Sequence, residues 1–202
     1  MHLLYHAQTR GVFFSHVVLV GDGAGEYDIF RSYRNKNGFE LHFVPDANSV
    51  ECETVLRGIQ PDIMAIKTGG TILEERIIEI PSVATINVHP SLLPNYRGID
   101  AEYWALLHDD AVGSSAHVVD IGVDTGDLIA QRKLDEDSAD SAGEIIEQNY
   151  YETTHQVMVD AILRYEDESA EPEPQDTTEG KQYFSMHEKL RDIVDELVQQ
   201  KR

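Results

Sequence analysis

An apolar run, Ala84 to Val88, carries an amide and leads into an imidazole two residues on, Asn87 and His89, before Pro90, Pro94 and Gly98 force the chain out of register. A run of this kind reads as a short buried strand. Side chains at i and i+2 of a strand share a face, so Asn87 and His89 project together just where the chain turns into a loop. The surrounding pattern alternates. Strands are predicted at Val17 to Val20, Phe39 to Val44, Asp62 to Ile66, Ser114 to Val119 and Leu128 to Lys133. Helices are predicted from an Asn48/Glu51 capping box to about Ile59, over Leu73 to Ile80 and Glu102 to His108, and from a Ser141/Glu144 cap along Gly143 to Tyr165. This alternation predicts an α/β fold: a Rossmann-like, mostly parallel sheet with helices on both faces.

Charge narrows the function classes. The chain has 202 residues, with 37 Asp and Glu against 16 Lys and Arg, for a net charge of -21. Nucleic-acid binders present basic patches, because phosphate neutralisation dominates their affinity. No dense Lys/Arg cluster occurs here, and no nucleic-acid partner is expected. The acids are spread along most segments, which fits a surface hydrated for a salt-accumulating cytoplasm better than one acidic partner-binding patch. No apolar run approaches the ~20 residues that span a bilayer, and the N-terminus lacks the layout of a signal peptide. Cys52 is the single cysteine, which rules out an intrachain disulfide and a thiolate metal cluster. These features point to a cytoplasmic protein with no membrane partner.

Composition divides the chain in three. Residues 1–165 form the expected α/β domain. Residues 166–180, rich in Glu, Asp, Pro and Thr, read as a mobile acidic linker. Residues 181–202 carry Leu190, Ile193, Val194, Leu197 and Val198 as one apolar stripe on a terminal helix, expected to dock back on the domain.

A second block follows the first strand motif: His117-Val118-Val119-Asp120-Ile121-Gly122-Val123-Asp124-Thr125-Gly126-Asp127. Together the two blocks resemble the formyltransferases that use 10-formyltetrahydrofolate. That group shows an Asn-x-His at a strand end, a Ser-Leu-Leu-Pro loop ending in Arg-Gly, and a later Gly-x-Asp-Thr-Gly. Here these are Asn87-Val88-His89, Ser91 to Pro94, Arg97-Gly98 and Gly122 to Gly126. The resemblance is clear from about Pro61 to Gln131.

The resemblance implies acyl-transfer chemistry with three catalytic residues. Asn87 would donate its amide to the oxyanion, His89 would be a second donor and help move protons, and Asp124 would orient His89. His117 would support the loop. The donor would be 10-formyltetrahydrofolate, its pterin lying in a mostly apolar slot near Thr71, Ile72 and Leu73 on one side and Val119, Gly122 and Val123 on the other. Ser91 and Arg97 would bind the acceptor, with Arg97 suited to a phosphate or carboxylate. No metal is expected, because no ligand spacing near His89, His117 and Asp124 supports one. The acceptor would be a small-molecule amine, such as an amino sugar or glycinamide ribonucleotide. A formyltetrahydrofolate hydrolase, a methionyl-tRNA formyltransferase-like protein and a truncated, non-catalytic binding paralogue remain as alternatives. The oligomeric state is open. Relative to the family the N-terminus is short by about one βα unit, so Val17 to Val20 would match the family's second strand and Met1 to Gly11 the tail of its first helix.

Overall fold

The computed structural model describes residues 1–21, 27–67, 70–135 and 140–201. Most of the glycine-rich stretch after Val20, and Gly69 of the Gly69-Gly70 break, lie outside the described residues. The order is α1 (His2–Thr9), β1 (His16–Val20), α2 (Tyr27–Asn37), β2 (Glu40–Val44), α3 (Val50–Ile59), β3 (Ile63–Ile66), α4 (Glu75–Ile78) and β4 (Ala84–His89). Then come β5 (Tyr96–Gly98), α5 (Ala101–Leu107), β6 (Gly113–Val118), β7 (Leu128–Lys133), α6 (Ala142–Gln148), a π turn (Asn149–Thr153), α7 (Thr154–Glu166), β8 (Lys181–Tyr183) and α8 (Glu188–Gln200).

Local chemistry sets several boundaries. Ser49, not Asn48, caps α3: its hydroxyl accepts from the Cys52 N–H at 3.1 Å. Asn48 is drawn away to the α4 loop, donating to the Ile72 carbonyl at 2.9 Å and accepting from the Glu74 N–H at 2.8 Å. Ser141 caps α6 as expected, accepting from the Glu144 N–H at 3.2 Å. The long helix it starts is not regular, however. At Asn149 the backbone widens into a π turn, a distortion common where a helix serves a site. The Asn149 side chain points inward and donates to the carbonyls of Gly113 at 3.0 Å and Pro90 at 3.2 Å.

The main sheet runs β3-β4-β6-β7. β3 and β4 are parallel, whereas β6 is antiparallel to β4 and to β7. A short connection between β6 and β7 permits only antiparallel pairing, because a parallel return needs a crossover of a dozen or more residues. Two smaller parallel pairs, β1-β2 and β5-β8, complete the mixed α/β fold. Alternation along β3 shows how both faces are covered. Ile63 and Ala65 pack with α1 and α7, while Met64 and Ile66 pack with α3 and α4. A third cluster joins α5, α6 and α8 through Ala105, Ile145, Val194 and Val198. The terminal helix therefore docks on the domain, with Val194 and Val198 buried and Ile193 of the predicted stripe exposed.

Among the described residues, the β1-β2 pair shares no hydrogen-bonded ladder with the main sheet. A cavity of about 500 Å³ is lined by His16, Val18 and Val20 of β1 together with Ile63, Ala65 and Lys67 on the β3 side. No residue of β1 or β3 is fully buried, in contrast to β4 and β6. A two-stranded pair is marginal alone, and strand edges without a ladder open locally at lower free energy. Amides of Val17 to Val20 are therefore expected to exchange with deuterium at least ~10-fold faster than those of Thr85 to His89. Equal protection of the two strands would show that the cavity does not weaken β1.

Candidate active site

The C-terminal end of β4 sets the first two groups. Asn87 and His89 lie on one face of the strand, opposite His117 and Ser115 of β6. The loop between β6 and β7 brings Asp124 over them. Its shape depends on Asp120, whose carboxylate accepts from the Gly122 N–H at 3.0 Å and the Thr125 hydroxyl at 2.8 Å. Asp124 itself sits in the left-handed region at φ 53°, a conformation that Asp tolerates better than most L-residues. One carboxylate oxygen lies 3.4 Å from His89 Nδ1 and the other 3.4 Å from His117 Nε2. The Gly98 N–H donates to Asp124 at 2.9 Å. Gly98 has φ +93°, and a Cβ there would meet the Tyr183 carbonyl oxygen at 2.2 Å. Only glycine lets β5 approach β8 while offering its N–H to the carboxylate.

Hydrogen-bond partners fix the tautomers. His89 Nε2 lies 2.7 Å from the Tyr96 carbonyl, which can only accept. Burial pushes the His89 pKa down by more than the Asp124 charge and the Tyr96 carbonyl pull it up. His89 is therefore neutral near pH 7, with its one proton on Nε2 and the Nδ1 lone pair facing Asp124. His117 Nδ1 lies 2.8 Å from the Val118 carbonyl and donates to it. His117 Nε2 then accepts from the Asn87 amide at 3.2 Å. Burial raises the Asp124 pKa, but a hydrogen bond from His117 when its Nε2 is protonated, the charge on His89 when protonated and the Gly98 N–H outweigh it and hold Asp124 below the usual carboxylate range. The site thus sets His89 Nδ1 and His117 Nε2 beside a fixed carboxylate. A proton arriving on either forms an ion pair at once.

Three contributors were not legible in sequence. Gln175 lies in the stretch expected to be a linker, yet its amide donates to the Asp124 carbonyl at 3.2 Å and to the Gly126 carbonyl. Residues 166–180 run across the Asp124 loop rather than away from the body. Glu173 and Leu128 exchange two backbone hydrogen bonds of 2.8 Å, and β8 then pairs with β5. Asn149 braces the loop at Pro90, next to His89. Glu102 is buried against Asn149 at 3.5 Å, and burial raises its pKa to about 7.

A sequence profile described as "Formyl transferase" matches residues 3–162. The chain belongs to the formyl transferase family. Among its curated relatives is methionyl-tRNA formyltransferase of Clostridium novyi, 38% identical over 91 residues, covering 45% of this chain and 29% of the relative. The corresponding protein of Clostridium tetani is 33% identical over 135 residues, covering 66% of this chain and 43% of the relative. The chain thus spans less than half the length of these relatives. Among solved structures it is similar to glycinamide ribonucleotide transformylase 1 from Symbiobacterium toebii, at 20% identity and TM-score 0.65, covering 87% and 88% of the two chains. It is also similar to the formyltransferase PseJ from Anoxybacillus kamchatkensis, at 22% identity and TM-score 0.62, covering 83% and 85%. That structure contains UDP-4,6-dideoxy-4-formamido-L-AltNAc and tetrahydrofolate.

Within this formyl transferase fold the remaining expected site residues fall into different environments. Ile72 is 69% exposed, and Thr71 lines the cavity beside β1. Leu73 packs with Val44, Cys52 and Ile77 and lines that same cavity. Val119 is half-buried, with its N–H donated to the Thr85 carbonyl at 2.8 Å. Gly122 is exposed and Val123 half-buried. A Cβ on Gly122 would meet the Thr125 hydroxyl at 1.9 Å, so this glycine serves the loop's own closure. Ser91 is fully buried, and its hydroxyl donates to the Tyr96 carbonyl. It closes the Pro90 loop. Arg97 donates to the Thr177 carbonyl at 3.2 Å, and its Nε is buried with no hydrogen-bond partner. Among the described residues it makes no ion pair.

Proposed function

We propose that this chain transfers the formyl group of 10-formyltetrahydrofolate to a small-molecule amine. The observation that carries the proposal is a neutral, buried His89 held between the Tyr96 carbonyl and Asp124, beside an Asn87 amide at a strand end. The amine nitrogen attacks the formyl carbon and a new C–N bond forms. Negative charge grows on the formyl oxygen, and the Asn87 N–H not given to His117 is the donor for it. The attacking nitrogen sheds a proton, which His89 accepts next to Asp124 and which leaves on the folate N10 as its bond to carbon breaks. In this reading His89 Nε2 is spent on the Tyr96 carbonyl, and Nδ1, facing Asp124, is the nitrogen that takes the proton. His89 therefore relays the proton, and Asn87 is the oxyanion donor.

The donor's residues fit in part. The loop at Thr71 and Ile72 and the loop from Val119 to Val123 each present an exposed isoleucine, Ile72 and Ile121, as apolar contacts for a planar ring. Arg97, with its unpartnered Nε, suits an anionic group on the acceptor. This favours a nucleotide-linked amino sugar or glycinamide ribonucleotide. A second reading, methionyl-tRNA as acceptor, is favoured by the identity to curated relatives of that name. Against it stand the net charge of -21 and the lack of a Lys/Arg cluster, which oppose a polyanion. The test is incubation with 10-formyltetrahydrofolate and each acceptor in turn at about 1 M KCl, a salt level at which surface repulsion is screened. Tetrahydrofolate release that depends on an amino sugar or glycinamide ribonucleotide is expected. Release without any amine would identify a hydrolase, release only with methionyl-tRNA the second reading, and none with any acceptor a non-catalytic protein.

A further inference from the structure

The register of β1 and β2 places His16 opposite Glu40 and Val18 opposite His42. Glu40 and His42 are two apart on one strand and share a face, so the three polar side chains meet above the β1-β2 pair. His16 Nδ1 lies 3.1 Å from His42 Nε2. The Glu40 carboxylate lies 3.8 Å from His16 Nδ1 and 4.0 Å from His42 Nε2. These are the dimensions of a coordination shell. Four zinc bonds of about 2.0–2.1 Å in a tetrahedron put neighbouring ligand atoms about 3.3–3.4 Å apart. The histidine pair is within a few tenths of an ångström of that edge. The carboxylate needs to move by roughly half an ångström, which the exposed Glu40 side chain, at 69%, is free to do.

We propose that His16, Glu40 and His42 bind a divalent transition ion, with zinc the best match. Two imidazoles and one carboxylate suit zinc and its neighbours and are too nitrogen-rich for magnesium or calcium. Three protein ligands leave the fourth position to water. The site shares no residue with Asn87, His89, His117 or Asp124. It was not legible in sequence, because His16 is far from Glu40 and His42 along the chain until the strands pair. Its physical effect is a cross-link between the two strands that, among the described residues, share no ladder with the main sheet. An ion bound only by the folded pair stabilises it by mass action.

The test is calorimetric titration of the metal-stripped protein with zinc chloride at about 1 M KCl, so that the acidic surface is screened, together with thermal midpoints with and without zinc. A zinc-dependent rise in midpoint and a saturable binding event are expected. His16→Gln and His42→Gln are each expected to weaken that event by at least about tenfold, and Glu40→Gln by a smaller factor. Circular dichroism of each variant checks the fold, and the exposed position of Glu40 makes its variant a reading independent of packing. Magnesium chloride at the same concentration is expected to give no shift. Zinc uptake unchanged in both His42→Gln and Glu40→Gln, no saturable uptake by the parent chain, or an equal response to magnesium would each overturn the proposal.

Discussion

An Asp124→Asn variant is expected to lose about 10²–10⁴ in the rate of formyl transfer while keeping its fold. The substitution preserves the shape of the side chain and an oxygen to accept the Gly98 N–H. It removes the charge that would hold a proton on His89, and with it the drive to take one from the amine. Asn87→Ala is expected to cost about 10²–10³, the usual loss for one oxyanion donor. Because His89 must start neutral, the parent rate is expected to fall on acidification only below the ordinary imidazole range, since burial holds its pKa down. Tetrahydrofolate release as a function of pH measures all three. Rates within about threefold of the parent for both variants, at unchanged thermal midpoint, would remove these residues from the reaction.

The second large effect concerns stability. Burial raises the Glu102 carboxyl from 4.5 to about 7. Between those values the folded chain keeps a proton that the unfolded chain releases, so stability contributed here is present below about pH 4.5 and declines as pH climbs to about 7. The difference amounts to about 3 kcal/mol once both states are ionised. Glu102→Gln keeps the shape and the contact to Asn149 without a proton to lose. Urea unfolding from about pH 4.5 to 8 is expected to show the variant gaining on the parent across this window and staying ahead above it. Comparing the two chains cancels the rise in general repulsion that the other carboxylates bring. Parallel curves would mean that Glu102 reaches solvent or a cation when ionised.

The strands and helices were legible where apolar period and caps agreed. Ala84 to Val88 reads as a buried strand because nothing in it competes, and Leu128 to Lys133 and the Ser141 cap are equally plain. Asn87 and His89 could be read together because residues at i and i+2 of a strand share a face, and Asp124 because its block resembles the family's Gly-x-Asp-Thr-Gly. Other features depended on partners far along the chain. Asn48 was drawn from its expected cap by Ile72 and Glu74, and Leu73 was taken into the core by neighbours from β2 and α3. The π turn follows from Asn149 reaching Pro90 and Gly113, which no local pattern encodes. Residues 166–180 have the composition of a solvated linker, yet backbone pairing at Glu173 and the Gln175 amide hold them to the Asp124 loop.

That last contact changes what counts as the smallest working unit. Cutting the chain at Tyr165, where composition suggests a boundary, would strip the backing from the Asp124 loop and the partner strand from Gly98, although every catalytic candidate would remain. The stretch from Glu173 to Tyr183 backs the Asp124 loop and β5, and Arg97 leans on it through Thr177. If the proposed reaction holds, preference among acceptors can drift through changes in this stretch alone, with Asn87 and His89 left untouched.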